Sequence, residues 1–226
     1  GRKFHVYPEG FSGRREEPSH VGLRAAYAAA EPGDILLVHA GRYVVPAEEQ
    51  DDRRAYVLRK RASLERPIVI RGVGDGEAVF DGQGALTLFD VTGADHHHFE
   101  AITVENADRC FYSEGGVGLV VRRCAARESN YPVMGVKTGC LDFTISDNVM
   151  TGRMPESEWV HRNQSAEKYG ASHAVWLYGQ GHAVCYNRIS RFWDGIDIGG
   201  YYSPPDDPRL RACSIDFYNN HISECM

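Results

Sequence analysis

Three segments decide the fold: TISDNVM (144–150), AVCYNRI (183–189) and DFYNNHI (216–222) each carry asparagine at the fifth position. The same column extends upstream through HHHFEAI (96–102) and LVVRRCA (119–125), so that it reads Glu100, Arg123, Asn148, Asn187 and Asn220. Successive members are 23, 25, 39 and 33 residues apart, which indicates a basic unit of 23–25 residues with two insertions. Such a period is typical of a solenoid in which each unit forms one coil.

The repeated units contain short strand-like runs separated by glycine, proline, asparagine and aspartate, with no helix to form a crossover. This pattern predicts an all-β fold, a parallel β-helix, in which the asparagine side chains hydrogen-bond to one another along the axis. The regular leucine spacing of leucine-rich repeats is missing. One helix is predicted over residues 21–31, with Ser19 as its N-cap and Pro32-Gly33 as its end.

Composition excludes several classes of protein. The 226 residues include 25 Lys plus Arg and 31 Asp plus Glu, and the resulting net charge of −6 argues against nucleic acid as a partner. No apolar run approaches the roughly 18 residues of a membrane helix. Six cysteines without a CxxC pair predict buried thiols rather than a zinc finger or a disulfide scaffold. A chain of 226 residues is long enough for one domain with a full core and too short for two ordinary ones, so we expect a single domain over residues 1–226.

Three further stretches resemble a known family: FHVYPEG (4–10), PGDILLVHAGRY (32–43) and PIVIRGVGDGEAVFDGQG (67–84). Together with the repeats, they are similar to the cap and coils of the pectin-lyase-like superfamily, whose fold is a right-handed, single-stranded parallel β-helix. The resemblance implies that the predicted helix closes the N-terminal end, within a cap of about residues 1–33, and that residues 34–226 form the coils. Most characterised members of this superfamily process polysaccharides as lyases, hydrolases or epimerases.

A second column lies in the strand after each asparagine turn, in PVMGVKTG (132–139), SHAVWLYG (172–179) and WDGIDIGG (193–200). Strict alternation places one set of side chains in the core: Val136, Val175, Leu177, Ile196 and Ile198. It places the other set outside: Lys137, Trp176, Tyr178 and Asp197. Sugar rings stack on aromatic faces and donate hydroxyls to carboxylates, so the outward set predicts a glycan-binding surface.

The two insertions, residues 152–170 and 199–211, flank this surface. They supply further candidate substrate-binding aromatics, namely Trp159, Tyr201 and Tyr202, and Arg191 lies between them. Long loops on one side of a rigid scaffold commonly build a site. Packing of these aromatics on one another is the alternative.

Asp194 is a candidate catalytic carboxylate because DGID (194–197) resembles the NTDGID segment of polygalacturonases, in which the first aspartate is catalytic. Trp193 stands where that family has threonine, and the GDDC, GHG and RIK motifs are missing. The resemblance therefore does not imply specificity for galacturonan. Asp197 is the second candidate because alternation directs it outward.

Three functions remain open at this point. Hydrolysis of a polysaccharide is narrowly preferred, with Asp194 and Asp197 as acid and base and His173 as a further acid–base candidate. The first alternative is a lyase acting on a uronate-containing glycan, with Lys137 as the base and calcium as a possible cofactor. The second is a non-catalytic, adhesin-like glycan-binding module.

Several expectations accompany these functions. The sequence establishes no metal site, because adjacent residues of the His96–His98 run face opposite sides of a strand. We expect a secreted or periplasmic protein whose substrate is a polysaccharide or oligosaccharide. The repeat alignment stops one residue short of the next equivalent of Asp194, so we also expect the native protein to continue past Met226.

Overall fold

The computed structural model describes residues 1–154, 172–199 and 214–225, and in this part of the chain all pairing between named strands is parallel. The helical elements are α1 (Leu23–Ala29) and a 3₁₀ turn (Ala47–Glu49). The strands are β1 (Lys3–Tyr7), β2 (Ser19–Val21), β3 (Ile35–Val38), β4 (Gly41–Val44), β5 (Arg54–Val57), β6 (Ile68–Gly72), β7 (Ala78–Asp90), β8 (His97–Glu100), β9 (Thr103–Ser113), β10 (Gly116–Val117), β11 (Val120–Arg122), β12 (Ala125–Arg127), β13 (Tyr131–Leu141), β14 (Thr144–Ser146), β15 (Val149–Thr151), β16 (His173–Gln180), β17 (Ala183–Cys185), β18 (Arg188–Ser190), β19 (Asp194–Ile198), β20 (Asp216–Tyr218) and β21 (His221–Ser223).

The strands stack into three faces. Face 1 is one sheet, in the order β2-β1-β3-β6-β8-β11-β14-β17-β20. The second sheet supplies faces 2 and 3 because its long strands serve both: β9 pairs with β12 through Thr103–Glu105 and with β13 through Arg109–Ser113. Face 2 continues through β15, β18 and β21, and face 3 through β16 and β19. Each coil thus visits faces 1, 2 and 3 in turn, which confirms the predicted right-handed parallel β-helix.

The asparagine ladder at the corner between faces 1 and 2 is confirmed. Asn148 Nδ2 donates to Asn187 Oδ1 over 2.9 Å, and Asn187 Nδ2 donates to Asn220 Oδ1 over 2.9 Å. Each amide also donates to a backbone carbonyl, as Asn148 does to Val121 and Asn187 to Ile145. The asparagine side chains thus provide hydrogen-bond partners for backbone groups that the turn would otherwise leave unpaired.

The first two members of the predicted column are wrong. Strand pairing aligns Asn148 with Cys124, not Arg123, and with Ile102, not Glu100. The feature shared by the five coils from β8 onward is a left-handed residue just before the ladder position, and this conformation needs no particular side chain. These corner residues are Ala101, Arg123, Asp147, Tyr186 and Asn219.

The helix is shorter than predicted. Residues 19–21 form β2, which pairs with β1 at the edge of face 1, and the helix begins at Leu23 behind Gly22. Ser19 is not the cap, since its hydroxyl bonds Glu17 Oε1 over 3.0 Å. Strand pairing with β1 outweighs the local helix propensity here. The helix buries Leu23, Ala26 and Tyr27 in the core and so closes the N-terminal end of the stack.

A continuous row of rings fills the core of the middle coils. Phe89 stacks on Phe111 with centroids 5.5 Å apart, and Phe99 packs against both rings. The thiols of Cys110, Cys124, Cys140 and Cys185 are free and buried, as the sequence predicted. No described helix is long and apolar enough to pass through a membrane.

Candidate functional site: the outer wall of face 3

Two consecutive residues of each coil point inward on face 3. The pairs are Leu88–Phe89, Cys110–Phe111 and Ala174–Val175, and all these side chains are at most 1% exposed. The outward side chains that flank each pair are therefore three positions apart instead of two. Strict alternation was therefore the wrong rule for this strand.

We name the outward residues of four successive coils the face-3 wall. Its rows are Arg109 with Tyr112, Tyr131 with Met134, His173 with Trp176, and Asp194 with Asp197. Neighbouring rows are adjacent strands, so their side chains lie one strand spacing apart, about 4.8 Å. Both aspartates consequently share one surface, whereas sequence alternation separated them.

Ring contacts join the middle of the wall. The His173 ring lies 5.0 Å from that of Trp176 and 5.7 Å from that of Tyr131, with which it stacks. Trp176 and Tyr178 have centroids 6.2 Å apart. Met134, only 8% exposed, packs in the same cluster. These contacts hold the indole in a fixed position, as a platform for a ligand requires.

His173 is the point at which the aromatic and acidic rows meet. Its Nδ1 lies 3.2 Å from Asp194 Oδ2 and 3.6 Å from Asp197 Oδ2. The imidazole is 8% exposed, whereas the side chains of Asp194 and Asp197 are 36% and 26% exposed. The buried imidazole nitrogen therefore lies within ion-pair distance of two more exposed carboxylates, although it forms no hydrogen bond with either.

The other end of the wall carries cations. The Arg109 guanidinium lies 4.8 Å from the centroid of the Tyr112 ring, and its Nε is 3.8 Å from Asp108 Oδ2. One coil further, Asp90 accepts hydrogen bonds from Arg54 and Arg59. Burial alone would raise the pKa of Asp90, but the Arg59 hydrogen bonds hold that pKa below its ordinary value. The wall thus changes from basic to acidic along the helix axis.

Of the predicted outward residues, Trp176 and Asp197 lie on this wall and Tyr178 packs beside Trp176. The catalytic candidates His173 and Asp194 lie on the wall as well. Lys137 lies in β13, beside β16, and its side chain is outside the described part of the structure. Trp159, Tyr201 and Tyr202 also lie outside the described residues.

Three assignments differ from the sequence analysis. Val136 is on the outer side, where it packs with Tyr112 and Met134, because Gly135 pairs with the inward Leu177 and the next residue of β13 points the other way. Ile198 is 39% exposed rather than buried. Arg191 lies at the corner before β19, where its Nε donates to the Met154 carbonyl over 2.7 Å. This hydrogen bond indicates a structural role for Arg191.

Sequence reasoning missed Arg109, Tyr112, Tyr131 and Met134. The available signal was the adjacent apolar pair, Cys110–Phe111, with Arg109 before it and Tyr112 after it. If the coils had been aligned by their adjacent inward residues instead of by strict alternation, Arg109 and Tyr112 would have been recognised as outward residues of the same surface.

The described residues do not fit a calcium ion at the acidic end of the wall. Calcium takes six to eight oxygen ligands. Here two carboxylates face an imidazole nitrogen, and no group of metal-ligating side chains is found around them in residues 1–154, 172–199 and 214–225.

Known proteins resemble this chain in part. No protein-family model matches it. Pectate lyase L of Dickeya chrysanthemi is 31% identical over 115 residues, which cover 47% of this chain and 27% of that protein. The structure of pectate lyase Pel9A superposes with a TM-score of 0.64 at 18% identity, covering 100% of this chain and 62% of the other. A rhamnogalacturonan lyase superposes with a TM-score of 0.52 at 15% identity, covering 99% and 63%.

The chain therefore shares the parallel β-helix fold of these pectate lyase and rhamnogalacturonan lyase structures. It spans less than two thirds of the length of each of these three relatives.

Proposed function

We propose that this chain is the β-helical part of a polysaccharide lyase that acts on a uronate-containing glycan. The observation that carries the proposal is the face-3 wall, with aromatic rings at its centre, arginine at one end and paired carboxylates at the other. The three relatives named above are all lyases, and this supports elimination over the hydrolysis that the sequence narrowly preferred.

The order of charges on the wall suggests how a polyanion would bind to a protein of net charge −6. Uronate carboxylates would lie toward Arg109, where a cation is available, and the sugar rings would stack along Tyr131 and Trp176. Hydroxyl groups of the glycan would donate to Asp194 and Asp197. The local basic end compensates for the overall charge.

In the proposed reaction a base removes the proton α to the uronate carboxylate, and the glycosidic C–O bond breaks as the carbon–carbon double bond forms. The departing oxygen takes up a proton. Lys137 is the proposed base, since β13 runs between the strands that carry Tyr112 and Trp176. The proposed reaction contains no calcium-dependent step, because the described residues do not form a set of calcium ligands. A secreted or periplasmic location is part of this proposal, because the substrate is an extracellular polymer.

The test is a panel of acidic and neutral polysaccharides incubated with the full-length protein. Each reaction is followed by the absorbance of the unsaturated product and by a reducing-end assay, with added calcium and with a chelator. Absorbance gain on a uronate polymer is expected, and Lys137→Met should remove it while the matched variant Lys3→Met retains it. Reducing ends without absorbance would establish a hydrolase, and binding without either signal would establish a glycan-binding module; both results contradict the proposal.

A further inference from the structure

A second cluster of chemically competent side chains lies at the N-terminal end of the β-helix. His5 of β1 and His39, just after β3, lie on adjacent strands of face 1, and their Nδ1 and Nε2 atoms are 2.9 Å apart. Glu16 comes from the segment between β1 and β2, and its Oε2 lies 3.7 Å from His5 Nε2. In the described part of the chain, His5, Glu16 and His39 form a group of possible metal ligands in which one ligand atom from each residue lies within 4.8 Å of the other two.

The His39 ring is held in the tautomer that a metal ligand needs. Its Nδ1 lies 2.7 Å from Asp75 Oδ2, so the imidazole donates its proton there and presents the Nε2 lone pair to His5. Asp75 is itself held, because its Oδ1 accepts the Ala40 backbone N–H over 2.9 Å. A carboxylate behind a ligating histidine is the usual outer-shell arrangement of protein metal sites.

The rings around the cluster are also fixed in place. Tyr7 stacks on His39 with centroids 4.1 Å apart and planes 9° apart. The Tyr7 hydroxyl accepts the backbone N–H of Glu16 over 2.9 Å, and this anchors the acidic residue beside the histidines. His5 and His39 have side chains only 17% and 11% exposed, whereas Glu16 is 72% exposed and free to turn toward an ion.

We propose that His5, His39 and Glu16 bind a divalent transition-metal ion such as Zn²⁺, with Asp75 as the positioning residue behind His39. Imidazole and carboxylate are ligands that zinc accepts, and three protein ligands leave a fourth position for water. The two facing nitrogens need to separate only slightly from 2.9 Å to hold an ion in tetrahedral geometry, whose metal–nitrogen distances are about 2.0–2.1 Å. The site would tie the segment that carries Glu16 to the first two coils, away from the face-3 wall.

The test uses full-length protein freed of any polyhistidine tag and titrated calorimetrically with zinc chloride. Co²⁺ serves as the spectroscopic probe, since a site of this geometry gives visible absorption. Wild type should bind one zinc ion that His39→Gln no longer binds. Asp75→Asn should weaken binding by about 10–100-fold. His20→Gln, a neighbouring histidine outside the cluster, should leave binding unchanged.

Glu16→Gln keeps the inference falsifiable if the histidine variants fail to fold, because this exposed side chain contributes little to packing. It should weaken zinc binding at least several-fold, while the matched exposed variant Glu48→Gln has no effect. Zinc should also raise the unfolding temperature of wild type but not of Glu16→Gln. Equal zinc affinity in wild type, Glu16→Gln and His39→Gln would overturn the proposal.

Discussion

His173 and Asp194 are register partners on adjacent strands of face 3, with Nδ1 and Oδ2 3.2 Å apart. Asp197, three residues further along the same strand, approaches the same nitrogen at 3.6 Å. One imidazole nitrogen therefore lies within ion-pair distance of both carboxylates. This is possible because two consecutive inward residues separate Asp194 from Asp197.

His173→Gln should lower kcat/KM on the substrate that the polysaccharide panel identifies, by about 10–100-fold. The reason is that both carboxylates lose the imidazole that lies within ion-pair distance of them, and small displacements in a site reduce the rate strongly. Steady-state kinetics measures the effect, with His221→Gln of face 2 as the control. Unchanged kcat/KM in His173→Gln would exclude this role.

Trp176→Ala should raise KM about fivefold and leave the fold intact, because the indole is the centre of the aromatic platform. Stacking of a sugar on one aromatic ring contributes about 1 kcal/mol. Trp176→Phe should recover most of the loss. Tyr186→Ala is the matched control, since this ring is 53% exposed at a corner away from the wall. A similar KM increase in the control would argue against a specific platform.

Asn187→Ala should lower the free energy of unfolding by about 2–4 kcal/mol. The substitution removes the buried hydrogen bond that the Asn148 backbone N–H donates to Asn187 Oδ1 and the one that Asn187 Nδ2 donates to the Ile145 carbonyl. Asn220→Ala should cost less, because its surroundings are only partly buried. Urea unfolding followed by circular dichroism gives both values, and a larger loss for Asn220→Ala would contradict the ladder argument.

Acid should destabilise the protein through His97. Burial lowers the pKa of His97 to about 4 from 6.5, and its Nε2 lies 3.0 Å from the Tyr27 hydroxyl of the capping helix. Because the folded pKa is depressed, the unfolded chain binds more protons between pH 6.5 and pH 4. The contribution to stability is fully present above pH 6.5 and falls by about 3 kcal/mol as the pH drops to 4.

Urea unfolding at several pH values tests the role of His97. His97→Gln should show a shallower decrease in stability across the window from pH 6.5 to 4, whatever its stability at neutral pH. His20→Gln should keep the wild-type slope. Equal slopes in wild type and His97→Gln would assign the acid sensitivity to other groups.

The asparagine column was readable from the sequence because a ladder needs the same side chain at the same corner in each coil. Asn148, Asn187 and Asn220 satisfy this condition in the last coils. The earlier coils place Ile102 and Cys124 at that corner, where only the left-handed backbone of the preceding residue is shared. A conformation without a characteristic side chain leaves no pattern to align.

The face-3 wall could be predicted only in part for a different reason. Alternation identified Trp176, Tyr178 and Asp197 correctly, but it directed Val136 inward and did not direct Asp194 outward. Both directions follow from the register in which each strand pairs with its neighbours, which places Gly135 beside Leu177 and Asp194 beside His173.

The sequence by itself determined the class of fold, the corner ladder and the general position of an aromatic and acidic surface, because repeated composition repeats the same local interactions in every coil. Tertiary structure alone decided which side chains share that surface, where the capping helix begins, and that His5, His39, Glu16 and Asp75 meet. The physical reason is that parallel stacking brings together residues that are far apart in the chain, and no local pattern encodes the register of that stacking.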